Sequence, residues 1–305
     1  MKQIILIIAA ELLSFTSCYA IIPDTVYIRR PEQLGLVYRD LNVVTKDNYK
    51  IKTWFFPAQY KDTTEHENTS DGAGITLNKV MRESKRPTII ICDGDAGNMS
   101  YFPLHLALGW TSMGFNVVAF DWRGFGESSS FPMNHNYMCY TEMLEDYRAV
   151  VEEVYRQKDV KKNAIVVMGW STGSYLSMIT AYNSKKVSAF IGRSLPTDFK
   201  DCIPLVMKKK GKNLDQLLIP KDFPVSQMPV CIASKFNKPI FLIVGENDTR
   251  TPVWMSQKVL SLLPPKTHHE LMIVKNAAHG GGDDPMLIAF DEFLTRTAVF
   301  LEQNL

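Results

Sequence analysis

The sequence lacks an excess of charge of either sign: among its 305 residues, 34 are basic and 32 acidic, giving a formal net charge of +2. Proteins that bind nucleic acids usually concentrate positive charge on one face. The densest basic run here comprises Lys208, Lys209, Lys210 and Lys212, and a short run of this kind is typical of a solvated surface. We therefore expect no nucleic-acid partner.

Membrane-length apolar runs, internal repeats and low-complexity tracts are also missing. A membrane-spanning helix needs about 20 consecutive apolar residues, and collagen-like or disordered chains have strongly biased compositions. Hydrophobic residues make up 46% of this sequence and charged residues 22%, which are ordinary values for globular proteins. They exclude a multi-span membrane protein and suit an enzyme, which at this length needs no disulfide or metal for stability.

Cysteine is scarce, with five residues in the whole sequence. Four of them, Cys92, Cys139, Cys202 and Cys231, match no zinc or redox spacing. Cys202 and Cys231 flank one irregular segment and could pair if the protein is exported, although free thiols are the favoured interpretation. We predict neither a metal nor an organic cofactor.

The first twenty residues have the composition of a targeting signal: a positively charged start is followed by an apolar stretch interrupted by Glu11. The residues Phe15-Thr16-Ser17-Cys18 resemble the bacterial lipoprotein signal, in which the cysteine is lipidated and becomes the first residue of the mature protein. The resemblance implies removal of residues 1–17 and an exported protein held to a bacterial cell membrane through Cys18. Secretion after cleavage at Ala20 and an uncleaved N-terminal helix are the alternatives.

Short apolar runs recur along the rest of the chain and predict strands. Leu36–Val44 and Tyr49–Phe56 surround a turn-like Lys46-Asp47-Asn48 and predict an antiparallel hairpin. The later runs are Thr88–Cys92, Asn116–Phe120, Ala164–Met168, Val187–Ile191, Pro239–Val244 and Glu270–Val274. Continuous runs of this length are typical of parallel strands buried on both faces.

Helical patterns separate these runs. Apolar residues recur at helical spacing from Met143 to Val154, after a possible N-cap at Thr141, and again from Leu287 to Leu301. Alternating strands and helices predict one α/β domain, residues 18–305, with a mostly parallel central sheet covered by helices on both faces. Residues 194–237 break the alternation and predict a lid-like insert over one edge of the sheet. Its apolar residues either cover an acyl pocket or pack an edge helix.

Gly169-Trp170-Ser171-Thr172-Gly173 has the pattern G-x-S-x-G, directly after a predicted strand and before a predicted helix. In a sharp strand-to-helix turn, the flanking glycines permit close backbone packing while the serine side chain projects outward. A serine hydroxyl is a weak nucleophile and needs a base within hydrogen-bond distance. Ser171 is therefore our candidate nucleophile.

Asp248 and His279 supply the matching acid and base. Each follows a predicted strand, and the carboxyl ends of parallel strands share one edge of the sheet. The chain order of serine, acid and histidine is that of hydrolases built on open α/β sheets. Surface or packing roles, rather than catalysis, are expected for the remaining candidates, Glu246, Asp283, Asp284, His66, His105, His135, His268 and His269. Asp284-Pro285 has the pattern of a helix cap followed by a proline in the first turn.

With these motifs, the chain resembles the α/β-hydrolase superfamily from about residue 34 to its end. Asp121-Trp122-Arg123-Gly124-Phe125-Gly126-Glu127-Ser128 matches the D-x-R-G-x-G-x-S turn of that family. The sequence is similar to short-lid esterases and thioesterases and to the serine aminopeptidase-like group. In those proteins an H-G-N-A-G-N-like loop helps to form the oxyanion hole, and here the loop begins with Asp93-Gly94-Asp95. The resemblance implies that the backbone N–H groups of Asp95 and Thr172 bind the oxyanion.

The resulting prediction is a serine hydrolase that cleaves a small-molecule or acyl substrate, either a carboxylic ester or a thioester, through an acyl-enzyme. Two alternatives stay open. One is a peptidase or amidase of the serine aminopeptidase-like group, which would use the same triad. The other is a catalytically inactive binding protein anchored at the cell surface.

Overall fold

The computed structural model describes residues 20–61, 77–82, 84–210 and 216–305. Within these ranges, eight strands form one central sheet. In chain order they are β1 (Arg39–Asp40), β2 (Thr53–Phe56), β3 (Arg86–Cys92), β4 (Asn116–Phe120), β5 (Val160–Trp170), β6 (Ala189–Arg193), β7 (Ile240–Gly245) and β8 (His269–Val274). Two-residue strands also pair outside the sheet: Ile22–Pro23 with Ala96–Gly97, Val43–Val44 with Lys50–Ile51, and Gln59–Tyr60 with Lys79–Val80.

Across the sheet the strands run in the order β8-β7-β6-β5-β3-β4-β2-β1. Strands β3 to β8 pair in parallel, whereas β2 is antiparallel to its neighbours β4 and β1. The predicted mostly parallel sheet is therefore confirmed. Since parallel strands end on the same side, the loops after β3, β5, β7 and β8 are brought together there.

Helices cover both faces of this sheet. They are α1 (Phe102–Ser112), α2 (Met143–Arg156), α3 (Thr172–Asn183), α4 (Phe199–Lys210), α5 (Pro229–Ile232), α6 (Val253–Ser261), α7 (Pro285–Ile288) and α8 (Phe290–Asn304). Successive side chains of a strand point to opposite faces, so Ile90 packs in the layer with α2 and α3. Ile89 and Ile91 pack in the other layer, with α1 and α8. The two apolar layers explain why the strand sequences are apolar throughout.

The predicted runs coincide with strands, with one displacement. The run at 187–191 corresponds to a strand that begins at Ala189 and ends at Arg193, because pairing with β5 starts where Ala189 lies opposite Val166. Arg193 is fully buried, and a charged residue inside a strand is invisible to an apolar pattern. The hairpin near the N-terminus also forms, as two short antiparallel pairs around a turn in which Asn48 has φ 68°.

Two helix boundaries differ from prediction. Thr141 does not cap α2: Glu142 occupies the N-cap position without a side-chain cap, and the Thr141 hydroxyl instead donates to Asp222. The helix predicted from Leu287 to Leu301 is divided in two, because Leu287 belongs to the one-turn helix α7 and the long helix α8 starts at Phe290. The cap predicted at Asp284 is present, since its carboxylate accepts the backbone N–H of Met286.

The described part of the 194–237 insert packs at the carboxyl end of the sheet against α3. An aromatic cluster of Tyr175, Phe199 and Phe223 joins the two, with ring centroids 5.4–6.1 Å apart. Leu218 exchanges backbone hydrogen bonds with the loop that carries Met138. The insert thus contributes both core packing and, as shown below, part of the wall beside Ser171.

The four described cysteines are free thiols, so Cys202 and Cys231 do not form the disulfide considered above. Cys202 is buried, whereas Cys231 is exposed. Cys18 lies outside the described residues. Among the residues that the structure describes, no helix has the length and apolar character needed to cross a membrane.

Candidate active site

Ser171 lies in a strained turn between β5 and α3. Its backbone has φ 49° and ψ −108°, a conformation that non-glycine residues rarely adopt. A Cβ at Gly169 would lie 2.1 Å from the carbonyl oxygen of Gly173, and a Cβ at Gly173 would lie 2.1 Å from that of Asp93. Both glycines of the G-x-S-x-G pattern are therefore required sterically, and the turn they permit projects the serine.

The structure brings Ser171, His279 and Asp248 together from the ends of β5, β8 and β7. His279 Nε2 lies 3.1 Å from Ser171 Oγ. On the other side of the ring, Nδ1 lies 2.9 Å from one Asp248 carboxylate oxygen and 3.0 Å from the other. These distances suit a base that accepts the serine proton while the acid orients its ring.

Asp248 sits in a buried pocket of hydrogen-bond donors. One carboxylate oxygen accepts the backbone N–H groups of Arg250 and Thr251, at 2.9 and 2.8 Å. The other accepts the Thr251 hydroxyl at 2.8 Å. Burial alone would raise the pKa of Asp248, but the charge of His279 and the hydrogen bonds from His279 and Thr251 lower the pKa to about 2. The acid is thus ionised at neutral pH, as a partner for an imidazolium must be.

Thr251 was not identified from the sequence, although it follows the acid by three residues. Its hydroxyl lies 3.2 Å from His279 Nδ1 as well as 2.8 Å from Asp248. A hydroxyl has a single proton to donate. When that proton points to the carboxylate, an oxygen lone pair faces Nδ1, which favours the tautomer that carries its proton there and leaves Nε2 free to accept from Ser171.

Asp95 and Thr172, the predicted oxyanion donors, line the same cleft as Ser171 and His279. Thr172 is the first residue of α3, and the N-terminus of a helix favours negative charge. Asp95 belongs to the loop after β3, where the backbone N–H of Gly94 donates to the Asp93 side chain at 3.0 Å. Burial raises the pKa of Asp93 to about 7, despite the opposing charge of Arg193. The Asp93 carboxyl, at the start of this loop, is therefore partly protonated near neutral pH.

A buried ion pair beneath the histidine loop is a further feature that no sequence motif indicates. Arg193, at the end of β6, pairs with Asp284, and both side chains are almost fully buried. The guanidinium lies 4.1 Å from the ring centroid of Trp170, whose ring centroid lies 5.8 Å from that of His279. Trp170 also packs against Gly94 and Gly280. The residue before Ser171 thus contacts both the Asp95 loop and the His279 loop.

The rival residues have other surroundings. His105 lies in α1 and bonds to the carbonyl of Tyr101, and His135 bonds to the carbonyl of Ile21. Glu246 is exposed, and its carboxylate accepts the backbone N–H of Asn276. The others are Asp283, which is exposed, His268, which directly precedes β8, His269, which is its first residue, and His66, which lies outside the described residues.

The cavity at Ser171 is small, about 20 Å³, which is room for about one water molecule. Its apolar wall combines α3, the loop before α2 and the insert; it consists of Met138, Tyr175, Pro196, Cys202 and Val206. Asp95 and Arg250 are charged residues that line it. A larger cavity of about 650 Å³ lies at the amino ends of β3 and β4, beside Arg86 and Asn116, and contains none of the predicted site residues. Across the described ranges, no group of three or more His, Cys, Asp or Glu side chains could hold a metal ion.

Comparisons with known proteins find similar sequences and similar folds. The family model "Serine aminopeptidase, S33" matches residues 83–218. The uncharacterized protein Rv2307c of Mycobacterium tuberculosis is 27% identical over 86% of this chain and 80% of its own length. Among solved structures, the Pyrococcus furiosus esterase Pf2001 superposes with a TM-score of 0.69, at 20% identity over 92% of this chain and 98% of that one. A puromycin-hydrolyzing peptidase of M. tuberculosis gives 0.64, at 16% identity over 93% of this chain and 40% of that one.

Proposed function

We propose that this chain, which has an α/β-hydrolase fold and matches the serine aminopeptidase model over residues 83–218, is a serine hydrolase that cleaves carboxylic esters or thioesters. The observation that carries this proposal is the continuous relay from Ser171 through His279 to Asp248, with contacts of 3.1 and 2.9 Å. These three side chains are the proposed catalytic residues. The proposal requires no metal or cofactor.

In the first step, His279 Nε2 takes the hydroxyl proton as Ser171 Oγ attacks the substrate carbonyl carbon. The carbonyl π electrons move to oxygen, and the backbone N–H groups of Asp95 and Thr172 donate hydrogen bonds to the resulting oxyanion. Asp248 stabilises the imidazolium formed at His279. When the carbonyl re-forms, the bond to the leaving group breaks and Nε2 returns the proton to the alcohol or thiol.

The second step hydrolyses the ester formed on Ser171. Water occupies the position of the departed alcohol and gives its proton to His279 Nε2 while its oxygen attacks the acyl carbon. Collapse of this second tetrahedral intermediate breaks the bond to Ser171 Oγ, which recovers its proton from His279. The acid leaves and the enzyme is restored, with one water consumed for each ester or thioester cleaved.

The size of the cleft supports short acyl groups. Tyr175, Cys202 and Val206 close the space beside Ser171, where the cavity measures about 20 Å³. An acetyl or propionyl group needs the least displacement of these side chains, whereas a long chain must move the insert. We expect p-nitrophenyl acetate and butyrate to be hydrolysed faster than the octanoate, as measured by kcat/KM.

The direct test is Ser171→Ala with p-nitrophenyl acetate. Ser174→Ala is the matched control, because Ser174 lies in the first turn of the same helix, is buried and takes no part in the proposed chemistry. We expect Ser171→Ala to lose turnover by at least about 10³-fold, as is usual when a nucleophile is removed, and Ser174→Ala to retain it. Undiminished turnover by Ser171→Ala would refute the proposal.

Peptidase or amidase activity is a second candidate, favoured by the match to the serine aminopeptidase model and by an acidic residue at the cleft. The Asp95 carboxylate would attract a protonated amino group on an aminoacyl substrate. A panel of p-nitrophenyl esters and aminoacyl p-nitroanilides separates the two activities. Faster turnover of the anilides, reduced by Asp95→Asn, would favour the peptidase.

A surface-anchored protein without activity is the remaining alternative. It would not react with a fluorophosphonate probe, whereas the proposed hydrolase is labelled at Ser171. The proposed lipid at Cys18 is tested separately with Cys18→Ser, which we expect to move the protein from the membrane to the soluble fraction of bacterial cells. Unchanged membrane association would remove the lipid from the proposal without affecting the hydrolase.

A further inference from the structure

The chain enters the fold beside the loop that carries Asp95. Ala20 and Ile21 are buried, at 2% and 0% exposure. Their backbone N–H groups both donate to the carbonyl of His135, at 2.7 and 3.2 Å, and the His135 ring bonds in return to the carbonyl of Ile21 at 2.9 Å. The backbone hydrogen bonds to His135 therefore hold Ala20 and Ile21 in the interior.

The residues that follow attach directly to the oxyanion-side loop. Ile22 donates its backbone N–H to the carbonyl of Asp95 at 2.7 Å. Ile22–Pro23 then pairs in parallel with Ala96–Gly97. We name residues 20–26 the N-terminal strap, because its contacts continue along the whole loop.

Side chains of the loop complete the attachment. The Asn98 amide donates to the carbonyls of Asp24 and Val26, at 3.2 and 2.9 Å. The Tyr101 hydroxyl donates to the Asp24 carboxylate at 2.7 Å. Asn98 is buried, so its hydrogen bonds to the strap satisfy donors that would be costly to leave unpaired.

Asp95 is thus held from both directions along the chain. Before it, Gly94 packs against Trp170 and bonds to the Asp93 side chain. After it, the strap binds the Asp95 carbonyl through the backbone N–H of Ile22. An oxyanion donor must be held within about 0.5 Å of its productive position by neighbours that are themselves fixed. A loop containing two glycines cannot provide that constraint alone, because glycine has the greatest backbone freedom.

We propose that the N-terminal strap is a positioning element for the oxyanion hole, which orients the Asp95 N–H by binding the Asp95 carbonyl. This inference rests on the proposed hydrolase function. It assigns no contact between the strap and the substrate. The strap acts through the loop, so its loss weakens stabilisation of the transition state more than binding of the ground state.

The test is Ile22→Pro in the full chain, with Ile22→Val as the control. Proline removes the one N–H that bonds to Asp95 and has a φ compatible with an extended strand, whereas valine keeps the N–H and the apolar side chain. For p-nitrophenyl acetate we expect kcat to fall about 10-fold or more in Ile22→Pro, less than the 10²–10³ of a deleted donor, with KM changed by less than about threefold. Ile22→Val should match the wild type.

Fluorophosphonate labelling distinguishes positioning from folding. The endpoint measures the fraction of molecules with an assembled site, and the rate constant measures how well that site stabilises the charged transition state. We expect Ile22→Pro to reach the wild-type endpoint at a reduced rate. A reduced endpoint with an unchanged rate constant, or labelling identical to Ile22→Val, would overturn the inference. Failure of the hydrolase proposal itself would appear instead as activity retained by Ser171→Ala.

Discussion

The two halves of the candidate site are built in different ways. The acid–histidine half consists of side chains placed just after β7 and β8, and the donors around Asp248 come from residues 250 and 251, its near neighbours in sequence. The oxyanion half is a loop after β3 held by the N-terminal strap, more than 70 residues away in sequence. The first half is therefore encoded locally, and the second depends on a long-range attachment.

This difference predicts different responses to mutation. Local hydrogen bonds around Asp248 are short-range and largely independent of the rest of the chain. The Asp95 loop, in contrast, shares contacts with the strap, with Trp170 and with the turn at Gly173. Changes in the acid–histidine half should affect chemistry more than stability, and changes in the oxyanion half should affect both strongly.

The largest expected effect comes from Asp248→Asn, which keeps the shape of the acid and removes its charge. The amide can no longer stabilise the imidazolium and favours the wrong tautomer, so kcat for p-nitrophenyl acetate should fall by about 10⁴-fold. Because the lowered pKa of Asp248 means that the folded state favours its charge, the thermal unfolding midpoint should also fall modestly at neutral pH. Glu246→Gln, an exposed carboxylate two residues earlier, is the control and should retain full activity.

The second-largest effect is expected from Gly173→Ala, which disturbs both halves of the candidate site. The new Cβ would lie 2.1 Å from the Asp93 carbonyl oxygen, so the nucleophile turn and the Asp95 loop must separate. We expect a loss of about 1–3 kcal/mol in the free energy of unfolding, as for other overpacked sites, together with a large fall in kcat. Gly282→Ala is the control, because no atom lies within 4 Å of its Cβ position; equal effects of the two changes would contradict the steric explanation.

A smaller effect is expected from Thr251→Val, which removes one hydroxyl and preserves the side-chain volume. Asp248 keeps its two backbone donors and His279, so the acid remains charged but is less well oriented. We expect kcat to fall about 10-fold, equivalent to the net value of about one hydrogen bond. Thr251→Ser retains the hydroxyl and should recover most of the activity; if serine and valine variants are equally slow, the hydroxyl has no role in orienting the triad.

The smallest effect on turnover is expected from Asp93→Asn, whose influence should appear in the pH dependence of stability. Burial raises the pKa of Asp93 from 3.8 to about 7. Between about pH 4 and pH 7, the folded protein keeps a proton that the unfolded chain has released, so this residue makes folding less favourable as the pH rises. Asparagine removes that contribution and still accepts the Gly94 N–H.

Unfolding free energies at pH 5 and pH 8 provide the measurement. The decrease between these pH values should be smaller in Asp93→Asn than in the wild type. Asp121 and Asp146 also have pKa values raised to about 7 by burial, so part of the decrease will remain in the variant. Asp283→Asn, at an exposed position, should leave the pH dependence unchanged.

The same division explains what the sequence could predict. Apolar runs identify the strands because the central sheet is buried on both faces, and the nucleophile, acid and histidine each follow such a run. These positions are determined by local pattern and by the common direction of parallel strands. Only the position of β6 was displaced, since it ends in buried Arg193.

Features that depend on long-range contacts escaped prediction. The pair of Arg193 and Asp284 joins residues 91 positions apart, and neither residue belongs to a recognisable motif. Thr141 has the residue type of an N-cap, but a partner in the insert takes its hydroxyl. The strap escapes prediction because a seven-residue segment with a two-residue strand has too little pattern to identify a pairing partner.

Burial of Ala20 and Ile21 beside the Asp95 loop also has a geometric consequence for the proposed lipid. Two residues of extended chain span at most about 7 Å, so the proposed lipid on Cys18 would hold Ala20 and the strap close to the membrane surface. The proposed hydrolase would then be held at the membrane surface by the strap.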